Sequence, residues 1–231
     1  MANPIVLIST AADGSMYKRR EPFDAAVIEN RAGYLGRNDI RMTDTTRLNP
    51  NANQRAEVDH ETDWCRYVEI DSSSKRLGMQ GDDSPATDAL ITKEIGHALF
   101  LPVADCVGTT IYDPTHHVLM LSHLGRHSLE QQGGIHSVEH LVKNYGSDPK
   151  ELLVWLTPAP NKEVFPIWAL DNKGMKEVAF EQMAAAGILL ENITDNPADT
   201  ATDLNYFSYS EFLKGNRTED GDYAMIAMMA D

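Results

Sequence analysis

Apolar residues fall along this chain in two periods, one near two residues and one near four. "PIVLIS" (4–9) is a continuous apolar run and predicts a buried strand, with "TAADGSM" (10–16) as the turn after it. In "PFDAAVIENRAGYLG" (22–36), Phe23, Val27 and Tyr34 fall near one face of a helix and Gly36 suits its end. Residues 38–58 are polar and Asn-rich and predict a long loop. "CRYVEI" (65–70) alternates like a strand, and the Ser/Gly/Asp-rich stretch 71–87 reads as a loop. "DALIT" (88–92) and "HALFLPVA" (97–104) predict strands. The stretch 128–146 predicts a helix, with Ile135, Val138, Leu141, Val142 and Tyr145 at helical spacing and the Gly133–Gly134 pair weakening its first turns. "ELLVWLT" (151–157) predicts a strand, "KEVAFEQMAAAG" (176–187) a helix with a glycine stop, and "ILLENI" (188–193) and "YAMIAMM" (223–229) strands. Strands and helices mix without a strict strand–helix–strand rhythm. That favours an α+β class, with layered mixed β-sheets flanked by helices. No break in composition marks a linker, so residues 1–231 are expected to form a single domain.

One stretch joins pattern to chemistry. In "ADCVGTTIYDPTHHVLMLSH" (104–123), Cys106 and His123 stand seventeen positions apart, with two apolar runs and one turn between them. Val107–Tyr112 is rich in β-branched and aromatic residues, and Val118–Leu121 is apolar again. Between them, Pro114 presets φ and Asp113 can bond to the backbone ahead, which is turn chemistry. A loop of Asp113 to His116 pairs Tyr112 with His117 and, counting back, Cys106 with His123. Directly opposed residues share a face, with Cβ atoms roughly 4.5–5.5 Å apart, so a thiol and an imidazole would meet. A change of one residue in the loop would break that pairing. The plainer alternative is a small buried cysteine and an unrelated histidine at a strand end.

Composition narrows the partners. The chain has 231 residues, 42% of them hydrophobic, enough for a substantial core. Its net charge of −15 repels nucleic acid and anionic membranes, whose binding rests on Lys and Arg contacts. No apolar run approaches the ~18 residues of a membrane span. Two cysteines, Cys65 and Cys106, do not make a disulfide framework, and with no signal peptide they fit a reducing cytoplasm.

Other constellations are weaker. His136 and His140 are four apart on a predicted helix, one spacing used for zinc, but "HSVEH" places its Glu next to the second His and is not HExxH. His116 and His117 fall in the turn. No GxGxxG, GxxxxGK[ST] or GxSxG stretch is present, so no familiar phosphate loop or nucleophile elbow is available. "MIAMM" (225–229) suits a core strand better than a copper site.

The hairpin resembles the "ADC…HAG" signature of the laccase-domain, or polyphenol oxidase, family, many of whose members are read as purine nucleoside phosphorylases. Four further stretches resemble the family's segments in the same order: "STAADGSM" (9–16), "ENRAGYLG" (29–36), "TDALIT" (87–92) and "NYFSYSEF…GDYAMIAM" (205–228). The resemblance implies a metal site of two His and one Cys, carried here by Cys106, His123 and, from "VDHETD" (58–63), His60. It also marks departures. The family's "HAGWRG" is "HLGRHS" (123–128), which loses the Trp and moves the Arg to Arg126; "STR" has become "STA"; and the family's "GPCIGPCCYEV" region is the cysteine-free "TPAPNKEVFPI" (157–167).

The resemblance therefore implies a zinc-dependent purine nucleoside phosphorylase, with adenosine deamination as a possible side activity. Its partners would be a purine nucleoside and phosphate. A three-ligand zinc leaves an open position for water, whose pKa it lowers to roughly 7. Arg126 is the nearest cation for phosphate. Copper is less suited, since one Cys and a few His do not build the several copper sites of phenol oxidation. One alternative makes Cys106 a thiolate nucleophile activated by His123 in an amidase-type hydrolase. Another is a divergent member without catalysis.

Overall fold

The computed structural model describes residues 4–50, 67–84 and 86–230. His60 and Cys65 lie outside them. Among the described residues, twelve strands and five helices follow in chain order: β1 (Ile5–Ile8), α1 (Ala25–Arg37), β2 (Thr45–Arg47), β3 (Tyr67–Glu69), β4 (Ala89–Thr92), β5 (Ala98–Val103), β6 (Val107–Asp113), β7 (Val118–Leu124), α2 (Arg126–Glu130), α3 (Gly133–Tyr145), β8 (Leu153–Leu156), β9 (Pro166–Ile167), β10 (Lys173–Gly174), α4 (Met175–Ala185), β11 (Ile193–Asp195), α5 (Tyr209–Leu213) and β12 (Tyr223–Met228). They build a four-stranded sheet in the order β1-β12-β5-β2, a six-stranded sheet in the order β11-β8-β6-β7-β4-β3, and the small β9-β10 pair. Both larger sheets are mixed. In the smaller of the two only β2–β5 is parallel, and in the larger β11–β8 and β3–β4 are. The α+β expectation holds.

Side-chain alternation sets the layers. Along β7, Leu119 and Leu121 face a core shared with Leu99 and Leu101 of β5 and Tyr223 and Met225 of β12. Val118, Met120 and Leu124 face the other way, onto Val138 and Leu141 of α3 and Val178 and Met183 of α4. On the outer side of the four-stranded sheet, Phe100 and Ile226 pack against Tyr34 and Leu35 of α1. The order is therefore α1, small sheet, large sheet, and the α2–α4 layer. Both central strands β6 and β7 are buried along their whole length. This explains why their sequence is nearly continuous in apolar and β-branched residues rather than alternating.

Three sequence expectations need correction. The single helix over 128–146 is two helices. Gln132 turns left-handed between them (φ 60°), and a Cβ on Gly133 would lie 2.0 Å from Ser128 Oγ, so the glycine permits the tight junction. The loop from residue 38 contains strand β2, too short to announce itself. In "ILLENI", Leu190–Asn192 is a helical turn and only Ile193–Asp195 is strand, because β11 needs just three residues to pair with β8.

Candidate functional site

The hairpin register differs from the expected one by two residues. Asp113 pairs with Val118, so His123 lies opposite Gly108, not Cys106. The loop is residues 114–117, with His117 left-handed (φ 52°). Asp113 stays in the strand and accepts hydrogen bonds from the Thr115 and His116 amides at 2.8 and 2.9 Å. A slip of two preserves the face. Cys106, one residue before β6 begins, still comes to His123 on the inter-sheet side.

Their proximity is measured at Gly125. A Cβ built there would lie 3.2 Å from Cys106 Sγ, 3.3 Å from His123 Nε2 and 2.7 Å from His123 Cε1. The thiol and the ring edge thus converge on one point, and a glycine keeps that point clear. The Arg126 amide, at the start of α2, donates to the Cys106 sulfur. The His123 ring has no hydrogen-bond partner among the described residues, though its backbone N–H donates to the Asp88 carbonyl at 2.8 Å.

The turn that delivers Cys106 is clamped by Asp105. Asp105 is buried at a left-handed φ of 79°, unusual for a non-glycine residue. Its Oδ1 accepts from the Thr200 hydroxyl (2.8 Å) and its Oδ2 from the Ser210 amide (2.7 Å). Backbone strain of this kind persists only where surroundings enforce it.

Both groups open onto a cavity of about 610 Å³. Its wall carries Tyr17, Arg19, Arg47, Asn49, Phe165 and Tyr209, along with Asp88, Asp105, Asp222 and Arg126. Burial pulls the His123 imidazole down to about 4, so it is neutral at pH 7 with a lone pair to offer. Burial, with the Asp105 and Asp222 carboxylates, pushes the Cys106 thiol up to about 12, against the pull of Arg19. Burial also raises Asp222 to about 6 despite Arg19 beside it. Arg19 donates from Nη1 to Asp220 (2.7 Å) and Asp222 (3.0 Å) and stacks 3.6 Å over the Tyr209 ring.

The expected site residues divide. Cys106 and His123 meet, and Arg126 lies at the cavity with its side chain exposed and Nη2 3.2 Å from His127 Nε2. His60 falls outside the described residues. Four other histidines are occupied elsewhere: His97 with Thr46, His116 with Asp113, His136 with Glu139, and His140 against the Tyr67 ring; His117 stays in the hairpin turn. Arg19, Arg47, Asp105 and Asp222 are additions that the sequence pattern did not single out. Asp105 sat beside Cys106 in the hairpin stretch, whereas Arg47 stood in a stretch that reads as loop and carried no local signal.

A neutral imidazole and a thiol side by side are a donor pair suited to one zinc ion, with further ligands required from elsewhere. Among the described residues, the donors at the cavity do not suffice for several copper centres. Among the described residues no three His, Cys, Asp or Glu side chains converge as a metal cluster, and only His123 and His127 of the histidines line the cavity.

The family model described as "Multi-copper polyphenol oxidoreductase laccase" matches residues 25–173. Among solved structures, YlmD from Geobacillus stearothermophilus is 17% identical with a TM-score of 0.83, covering 100% of this chain and 93% of that one. The hypothetical protein YfiH from Bacillus licheniformis is 19% identical with a TM-score of 0.75, covering 88% of this chain and 81% of that one. NMB0706 from Neisseria meningitidis, of the family model DUF152, is 16% identical with a TM-score of 0.71, covering 100% and 96%. At these identities the three likenesses establish the fold. Among curated protein sequences, none matches the chain.

Proposed function

Starting from the fact that this chain belongs to the multi-copper polyphenol oxidoreductase laccase family, we propose that it is a zinc-dependent purine nucleoside phosphorylase, with adenosine deamination as a side activity. The observation that carries this reading is the convergence beneath Gly125 of Cys106 Sγ and the neutral His123 ring, which is unbonded among the described residues, facing a cavity of about 610 Å³. Cavities of this size suit a small organic ligand. His60 is proposed as the third ligand. Zinc, when bound, supplies an electrophilic centre and can lower the pKa of a bound water.

The chain's own groups supply the rest. Phe165, Tyr17 and Tyr209 offer flat apolar faces on which a purine can stack. In phosphorolysis a phosphate oxygen forms a bond to ribose C1′ while the C1′–N9 bond breaks. The base leaves with the electron pair and takes up a proton. Arg126 and Arg47 bring positive charge to the cavity where the phosphate dianion must sit, while Arg19 is paired with Asp220 and Asp222. Asp222, raised to about 6, is a carboxyl able to exchange a proton near neutral pH. The metal-free hydrolase would need a thiolate at Cys106 that burial opposes, whereas a bound zinc ion would itself stabilise the thiolate.

The test is chromatography of adenosine and inosine incubated with zinc-loaded protein and phosphate, with His123→Ala as control. Free base and ribose 1-phosphate from the wild type alone is the expected result. Inosine from adenosine marks the deaminase activity. No turnover in any lane sinks the nucleoside assignment and leaves a hydrolase or a binding protein. Zinc content of His60→Ala tests the third ligand, and full retention of the metal would move that role to another residue.

A further inference from the structure

We infer that the cavity contains an oxyanion subsite built on Arg47, able to seat a phosphoryl group either as inorganic phosphate or as the 5′-phosphate of a nucleotide. This deepens the phosphorylase proposal and rests on it only for the choice between those two ligands.

Arg47 is the last residue of β2 and is 2% exposed. A guanidinium carries five N–H donors and cannot shed its charge in a protein. Here Nε donates to the Gly78 carbonyl at 2.6 Å. Among the described residues the one carboxylate within ion-pair distance is Asp82, whose Oδ1 is 4.0 Å from Nη2, beyond hydrogen-bond reach, and Asp82 itself is 80% exposed. The terminal nitrogens make no other bond among the described residues. A buried cation left in this state is costly unless something pairs with it.

Arg31 shows what a purely structural buried arginine looks like in the same fold. It is as deeply buried, and all three of its nitrogens donate to carbonyls: Nε to Met16 (2.8 Å), Nη1 to Met79 (2.8 Å) and Nη2 to Pro22 (3.0 Å). Arg31 lines no part of the cavity, and Arg47 does. The two cations also repel one another, which burial leaves unscreened. An anion at Arg47 would relieve that repulsion.

The Tyr17 and Phe23 ring centroids lie 5.4 and 5.6 Å from the central carbon of the guanidinium. Such rings attract the charge without filling the hydrogen-bond positions of the terminal nitrogens, and a phosphoryl group binds a guanidinium by two parallel N–H bonds. The cavity's other arginines are less available. Arg19 is already neutralised by Asp220 and Asp222, and Arg126 is exposed beside His127.

The experiment titrates inorganic phosphate into full-length protein, by calorimetry and by NMR of protein with ¹⁵N-labelled arginine side chains. The expected result is saturable binding that moves the Arg47 resonance. In Arg47→Gln the affinity should fall roughly ten- to hundredfold, the worth of a lost charge-assisted bond pair, and Arg126→Gln should lose less. The exposed Lys150→Gln controls for net charge. Unchanged affinity in a folded Arg47→Gln, or no binding by the wild type, overturns the subsite. Should Arg47→Gln not fold, the labelled wild type decides: saturation with the Arg47 resonance unmoved overturns it equally. Repeating the titration with adenosine 5′-monophosphate separates the sources. Tighter binding that depends on Arg47 assigns the site to a nucleotide's phosphate, and tighter binding of free phosphate assigns it to the co-substrate. Neither titration needs turnover. Phosphate held by Arg47 without release of ribose 1-phosphate would sink phosphorolysis and keep the subsite, while turnover with Arg47 inert would do the reverse.

Discussion

Gly125 keeps clear the point on which Cys106 and His123 converge. Its Cβ would press to 2.7 Å from His123 Cε1, so Gly125→Ala must turn the ring away from Cys106. Metal affinity in that variant is expected to fall about 10- to 100-fold, the range seen when ligand orientation is lost, with the fold retained. Zinc titration against a competing chelator reads this, and unchanged affinity would show that the two side chains do not share an ion. His97 carries a second residue-scale prediction. Thr46 donates its hydroxyl to the Ser74 carbonyl at 2.6 Å, so it accepts from His97 Nε2–H, 2.8 Å away, and the buried ring stays neutral. Burial lowers its pKa from 6.5, so on acidification the unfolded chain takes up the proton first. Its contribution to stability is complete above the unfolded value and is lost as pH falls below it. The share of the urea midpoint that His97 supplies should therefore drop between about pH 7 and pH 5. Subtracting the His97→Gln profile from the wild type should isolate that share, because buried His123, of the same sign, and Asp222, whose raised value acts with the opposite sign, remain in both proteins.

At the scale of elements, the β6–β7 hairpin and the Asp105 turn place the site together. Gly108, opposite His123, lets the two sheets approach. A Cβ there would meet Thr157 Cγ2 at 3.0 Å and Leu101 Cδ2 and Met225 Sδ at 3.4 Å. Gly108→Val should overpack this spot and cost about 1–3 kcal/mol in chemical denaturation. The Asp105 turn depends on partners about a hundred residues away in sequence. Thr200→Val strips one acceptor bond from a buried carboxylate and should cost about 1–3 kcal/mol. Zinc affinity should weaken in the same variant as Cys106 loosens. Stability unchanged to within error would mean that the turn holds without its clamp.

For the whole molecule, the two sheets share one core, so they should unfold together. Leu101 is fully buried between them. Leu101→Ala is expected to cost about 2–5 kcal/mol. Far-UV circular dichroism and tryptophan fluorescence should shift by the same amount in a single transition, and separate midpoints would mean that the layers fold independently. Among the described residues no helix is long and apolar enough to cross a membrane. The cavity lining includes three arginines and three aspartates, so in a chain of charge −15 any attraction for an anion must come from individual guanidiniums inside the fold and not from the overall field.

Local pattern decided a good deal. The apolar runs named β1, β4 to β8 and β12, and helical spacing named α1 and α4, because burial on a strand or helix face leaves its period in the chain. The seventeen-residue interval likewise brought Cys106 to His123, since a slip of two still returns both to one face. Other features are contacts between distant segments and leave no period. The exact turn depended on Asp113 staying in the strand to bind amides ahead of it. The split at Gln132 depended on Gly133 meeting Ser128. Arg47 stood in a stretch that reads as loop, and nothing local distinguishes it from Arg31. Only the packing of β2 against the Gly78 turn leaves one arginine under-bonded at a cavity while the other is fully satisfied in the core.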